Sequence, residues 1–169
     1  MTPRMLARAL SLAVAAVLGA TGCASIPVDP DGTLERASGG VLRVGMSASP
    51  PWTALEDGER TGVEVRLVED FAEGIDAEIE WQDGGEEALI QALELGRLDV
   101  VVGGLTEASP WLDLAALTRP YVEVTGPEGS PEGHVMAVRL GENALLVALE
   151  RHLHEHEAEV ADELGGVVP

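Results

Sequence analysis

Apolar residues recur along this chain at more than one spacing, and each spacing predicts a different element. Val41-Leu42-Arg43-Val44-Gly45-Met46 and Ala77-Glu78-Ile79-Glu80-Trp81 read as short strands, the second by strict alternation. Between them Val65, Val68, Phe71, Ala72 and Ile75 return at helical spacing, which predicts a helix over residues 64–75 with its acids on the outer face. Leu98-Asp99-Val100-Val101-Val102 is nearly continuous, the pattern of a strand covered on both sides. Asp83 followed by Glu86 predicts a capping box opening a helix that runs to about Leu95 and stops at Gly96.

The stretches between these elements are polar or carry helix-breaking residues. Ser47–Trp52 contains Pro50 and Pro51 and reads as a loop; residues 56–61 read as a polar turn. Ser109-Pro110 suits the start of a helical turn, residues 119–124 are extended, and Thr125–Gly133 is a short flexible linker. His134–Val138 reads as one more strand and residues 143–163 as a long C-terminal helix. Strand, helix, strand, helix, strand predicts an α/β fold with a mainly parallel open sheet flanked by helices.

The N-terminal region does not belong to that domain. Arg4 and Arg8 precede an apolar run from about Ala9 to Gly19, too short for a hydrocarbon core that needs about twenty residues. It matches the apolar segment of an export signal over residues 1–22. Ala20-Thr21-Gly22-Cys23 resembles a lipoprotein processing site, with Cys23 as the lipid-bearing mature N-terminus; Ala20 stands where Leu is commonest, and cleavage after Ala24 is the alternative. Residues 23–40, rich in Pro, Gly, Asp and Ser, read as a flexible tether, residues 41–164 as the domain and 165–169 as a tail. The expected location is the cell envelope outside the cytoplasmic membrane, with the membrane reached through an N-terminal lipid.

Composition narrows the function classes. Formal charge is −20, with 30 acidic residues against 10 basic ones, every one of them Arg. Such a surface repels phosphate backbones, so nucleic acid is not an expected partner. Cys23 is the single cysteine, which excludes an internal disulfide. No nucleophile elbow, phosphate-cradling loop or zinc signature is present, so no enzyme, cofactor or metal centre is expected.

Several stretches together resemble one family. They are Leu42–Met46 with Pro50-Pro51-Trp52, Thr61-Gly62-Val63-Glu64-Val65, ALIQALELGRLDVVVGGLT at 88–106, LTRPY at 117–121 and HVMAVRLGENALLVALE at 134–150. In this order they resemble the first lobe of solute-binding protein family 3, the amino-acid-type periplasmic binding proteins of ABC transporters. The resemblance implies a single periplasmic-binding-protein-like lobe, with linker 122–133 in place of the family's second lobe. It also implies a small-molecule solute as ligand and an ABC permease or another envelope protein as partner. The family's amino-acid binders continue the GGLT strand with a Thr-Pro-x-Arg turn whose Arg grips the ligand carboxylate. Here an ungapped count puts Ala108 at the second Thr and Trp111 at that Arg.

The candidate ligand-binding residues are accordingly Trp52, Thr106 and Trp111, on loops at the carboxyl ends of the strands. The two indoles can stack on a ring, a sugar or a cation, or else cap the core. Trp111 and Tyr121 would also lie on the former hinge face, a surface for a docking partner. On the last helix His152 and His156 are one turn apart, but they fall within the apolar stripe of Leu145 and Leu149, which favours packing over metal ligation.

Overall fold

The computed structural model describes residues 28–126 and 129–165; the export signal expected over residues 1–22, Cys23 and the tail beyond residue 165 lie outside them. Among the described residues thirteen elements follow one another: α1 (Thr33–Ala37), β1 (Val41–Met46), β2 (Ala54–Glu56), β3 (Glu59–Thr61), α2 (Val63–Gly74), β4 (Glu78–Asp83), α3 (Glu86–Glu94), β5 (Val100–Val102), β6 (Ala115–Leu117), β7 (Val122–Thr125), β8 (Pro131–His134), β9 (Ala137–Arg139) and α4 (Asn143–Leu164). The main sheet has the order β4-β1-β5-β9-β6. β4, β1 and β5 are parallel, whereas β9 runs antiparallel to both β5 and β6.

Alternation along the central strands divides the core in two. Leu42, Val44, Met46, Val100 and Val102 face α2 and α4 in the larger cluster. Val101 and Ala137 point the other way, into a smaller cluster with Leu89, Ile90 and Leu93 of α3. The unbroken apolar run of β5 follows directly, since neither of its faces meets water. Gly45 of β1 faces α3, where a Cβ would stand 2.7 Å from Leu98 and 3.1 Å from Leu89.

Five expectations are corrected. Residues 28–40 do not hang free: Asp29 Oδ1 accepts from the N–H groups of Ala144 (2.6 Å) and Leu145 (3.1 Å), and its Oδ2 from that of Leu34 (2.8 Å). Buried Glu142 likewise accepts from Asp31 N and Thr33 N, and Arg139 pairs with Asp31. The linker reading of 125–133 also yields, because β7 and β8 pair as an antiparallel hairpin from Val122–His134 to Thr125–Pro131. The capping box does not form; α3 starts after Gly85 without a side-chain cap, and Asp83 binds Arg60 instead. Finally, Ser109-Pro110 opens only turns, and the strand read over 134–138 divides between β8 and β9.

Candidate functional site

The loops that leave β1 and β5, and the Gly84-Gly85 step from β4 into α3, meet at one edge of the parallel strands. An open α/β sheet binds ligands there, beyond the carboxyl ends of its strands. The loop after β1 is locked to its neighbours: Ser47 N–H donates to Val102 O at 2.9 Å, and the Thr53 hydroxyl donates to Ser47 O at 2.5 Å. The next segment leads into α2, whose first N–H groups are taken by Pro51 O and Trp52 O.

That entry to α2 delivers Glu64 into the interior, fully buried. Its Oε2 accepts from Gly103 N–H (2.8 Å) and Gly104 N–H (3.0 Å), and its Oε1 from the Tyr121 hydroxyl (2.7 Å). Burial pushes the Glu64 carboxyl above its ordinary range, while the bonds from Gly104, Tyr121 and Gly103 pull it back. Burial, then the Glu64 charge and its hydrogen bond, hold the Tyr121 phenol well above its usual value. One carboxylate thus ties the turn after β5 to α2 and to the entry of β7. Gly104 is required at that turn: its φ is 67°, and a Cβ would meet Ser49 Oγ and Trp52 Cδ1, each at 2.7 Å.

Trp52 and Thr106 are brought together through His134. Trp52 is only 7% exposed; it stacks on the His134 ring with centroids 3.6 Å apart and meets Tyr121 edge-on at 6.4 Å. Trp52 is therefore part of the core, not an open aromatic wall. Thr106 makes a backbone bridge to His134, and its N–H donates to Ser109 Oγ at 3.0 Å. His134 is 3% exposed, its Nδ1 has no hydrogen-bond partner among the described residues, and its Nε2 lies 3.6 Å from Glu132 Oε1. Burial lowers its pKa to about 4, so the ring is neutral near pH 7.

Trp111 stands apart from that group, at the first turn of α3. It is half-buried against the smaller core cluster, and its indole N–H donates to the Glu86 carboxylate. On α4, His152 Nε2 bonds Leu67 O (2.9 Å) and His156 Nδ1 bonds His152 O (2.8 Å), so each ring is engaged with backbone. Among the described residues no three His, Cys, Asp or Glu side chains are grouped to hold a metal.

The sequence reading missed Glu64 and His134 as parts of this region, and its placing of Tyr121 on a docking face is corrected: the side chain is 2% exposed and its hydroxyl is bound to Glu64. For Glu64 a signal was present. It precedes Leu67, Val68 and Phe71 by three, four and seven residues, which places it on the apolar stripe and not on the outer face.

The family model of bacterial extracellular solute-binding proteins, family 3, matches residues 42–162. The chain belongs to this family. Among solved structures, the arginine-bound form of domain 1 from TmArgBP matches this solute-binding protein at 31% identity and a TM-score of 0.64, covering 72% of this chain and 97% of that one. The L-cystine solute receptor of Neisseria gonorrhoeae in the unliganded open conformation matches at 14% identity and a TM-score of 0.62, covering 75% of this chain and 91% of that one. A Salmonella typhimurium periplasmic binding protein of high arginine specificity matches at 14% and 0.63, covering 75% and 98%. These last two establish the fold alone. No curated protein sequence matches the chain. The family and these solved relatives are binding proteins, and the fold is that of a single lobe.

Proposed function

We propose that this family 3 protein is exported, held at the membrane by a lipid on Cys23, and recognises a small solute at the strand-end edge of its one lobe. Trp111 and Thr106 are the contacts, with Trp52 as buried support behind Thr106 through His134. What carries this reading is the similarity to domain 1 from TmArgBP, an isolated first domain whose structure is an arginine-bound form. A ligand can therefore be held on one lobe of this fold. The Glu64 network adds a physical reason, because it fixes the Gly103–Gly104 turn before any ligand arrives, so little ordering cost falls on binding.

The test is a thermal-shift and tryptophan-fluorescence screen of the purified protein against amino acids, polyamines, sugars and organic acids. A stabilising solute whose effect is lost on Trp111→Ala supports the reading. A flat screen with folded protein sinks it.

One observation favours a second reading, an interaction module that docks on a permease or another envelope protein. Leu55, on the β2–β3 hairpin, and Leu112, in the loop after β5, are 51% and 64% exposed. Both belong to segments that follow strands ending at the candidate edge. A flat screen together with capture of a permease would select this alternative.

A further inference from the structure

Residues 28–33 are fastened to the amino-end edge of the sheet, opposite the candidate site. β1, β4 and β5 begin at that edge. β9 runs antiparallel to β5 with Val138 opposite Val100, so Arg139 and Leu140 emerge there too. Val28 O accepts from Asn143 N–H at 3.3 Å, Asp31 pairs with Arg139, and Glu142 holds the N–H groups of Asp31 and Thr33.

That attachment shortens the reach of an anchor at Cys23. With residues 28–40 built into the domain, only residues 24–27 separate Cys23 from Val28. Five residue steps span at most about 18 Å when fully extended. β1 is six residues long, so the loops at its carboxyl end lie about 20 Å farther along the sheet than Val41. Such a tether cannot carry Val28 more than about one strand length from the headgroups.

The surface of this edge suits that closeness. Val28, Val41, Leu95 and Leu140 are exposed around it, Leu95 at the end of α3, where Gly96 O accepts from Arg43 at 2.9 Å. Asp99, just before β5, is buried and held by Arg36 (2.5 Å) and Arg43 (2.6 Å), while Arg97 is exposed. Glu35 and Glu94 remain there as exposed acids. The flanks suit a bilayer less. α2 presents Glu69 and Glu73, and α4 presents Glu155, Glu157 and Glu159, all of which anionic headgroups repel.

We propose that the amino-end edge, from Val28 and Leu140 to Leu95, is the membrane-facing surface of the lobe and rests on the bilayer that holds the Cys23 lipid. The strand-end edge then faces the aqueous side, and a solute reaches it without entering the headgroup layer. This rests on the lipid anchor proposed above and adds which way the anchored lobe is turned.

The test uses the full chain, extracted from membranes and reconstituted in vesicles of phosphatidylethanolamine and phosphatidylglycerol that contain a nickel-chelating lipid. Mass spectrometry first reads whether Cys23 carries a lipid. Cys23 is the single cysteine and the lipid occupies its thiol, so Leu140→Cys and Ala108→Cys, both at exposed positions, each accept one nitroxide label. Headgroup nickel should relax the label at Leu140, on the amino-end edge, several-fold more strongly than the label at Ala108, in the loop after β5. Equal relaxation at the two positions, or a stronger effect at Ala108, overturns this inference and leaves the anchor standing. A membrane-extracted protein with no lipid on Cys23 overturns the anchor and this inference with it.

Discussion

The carboxylate of Glu64 and the hydroxyl of Tyr121 meet at 2.7 Å inside the protein, 57 residues apart in the chain. The same carboxylate takes the two N–H groups of the Gly103–Gly104 turn. Three donors from two distant segments thus converge on one buried acceptor, two of them buried and the third, Gly104 N–H, part-buried. The site's rigidity and a share of the fold's stability reside in this one side chain.

Glu64→Ala should therefore cost far more than an average substitution. It strands two buried donors and one part-buried one; each buried donor is worth about 1–3 kcal/mol when left unpaired, so a loss of at least about 2 kcal/mol is expected. Glu64→Gln keeps an oxygen for the glycine N–H groups and should cost about 1 kcal/mol. Urea unfolding of the two variants checks the order; an alanine variant as stable as the glutamine one would remove the network from the account.

His134 makes stability sensitive to acid. In the folded protein its pKa is about 4, against an ordinary 6.5. As pH falls below 6.5 the unfolded chain takes up a proton that the folded ring refuses, so stability declines until the folded ring also titrates near pH 4. At about 1.4 kcal/mol per pH unit the decline amounts to at most about 3.5 kcal/mol. Glu64 acts with the opposite sign, since its raised folded pKa makes the folded state the better proton binder above 4.5. His134→Phe keeps an aromatic ring against Trp52 and removes the imidazole. Its unfolding free energy, measured between pH 4 and 7, should lose the acid-sensitive decline or even rise slightly toward acid. An unchanged profile would place the acid sensitivity elsewhere.

Asp29 is a capping residue for two helices at once, through Leu34 N–H on α1 and Ala144 and Leu145 N–H on α4. Losing a helix cap typically costs about 1 kcal/mol, so Asp29→Ala should destabilise by about 2 kcal/mol. A chain cut to begin at residue 41 should lose at least as much. Thermal unfolding of both tests whether residues 28–40 belong to the domain. A truncated chain as stable as the parent would return them to the role of a tether.

Much of the fold was legible because its signals are local or periodic. The β1 and β4 patterns, the Gly96 stop and the long α4 helix follow from side-chain spacing and a single glycine with φ 68°. What escaped depends on partners distant in sequence. Asp29 looks like a linker residue until α4 is placed beside it. Asp83 has the spacing of a cap, yet the Arg60 guanidinium, 23 residues earlier, outcompetes the local N–H groups. The β7–β8 hairpin was hidden because Gly and Pro around Thr125–Gly133 signal flexibility equally well as a turn. Trp52, Thr106 and Trp111 were found as loop residues at strand ends. Which of them faces a ligand depends on His134 and Glu86, and no spacing rule joins either to its tryptophan.

Trp111 separates the ligand role from the packing role. It is half-buried, so Trp111→Ala should cost only about 1–2 kcal/mol of stability from lost apolar burial. As the contact proposed for the solute, it should matter more to binding, with at least a tenfold loss of affinity for whichever solute the screen identifies. Trp111→Phe distinguishes the two contributions. It keeps a ring to stack on but gives up the indole N–H that Glu86 now accepts. Affinity within about threefold of the parent would show that the ring face is what the solute uses. If the phenylalanine variant instead loses as much as the alanine variant, the N–H is the essential part, and Trp111 serves by holding the Glu86 carboxylate in place. If neither variant moves the affinity, Trp111 is a core-capping residue and the solute contacts lie nearer Thr106 and His134.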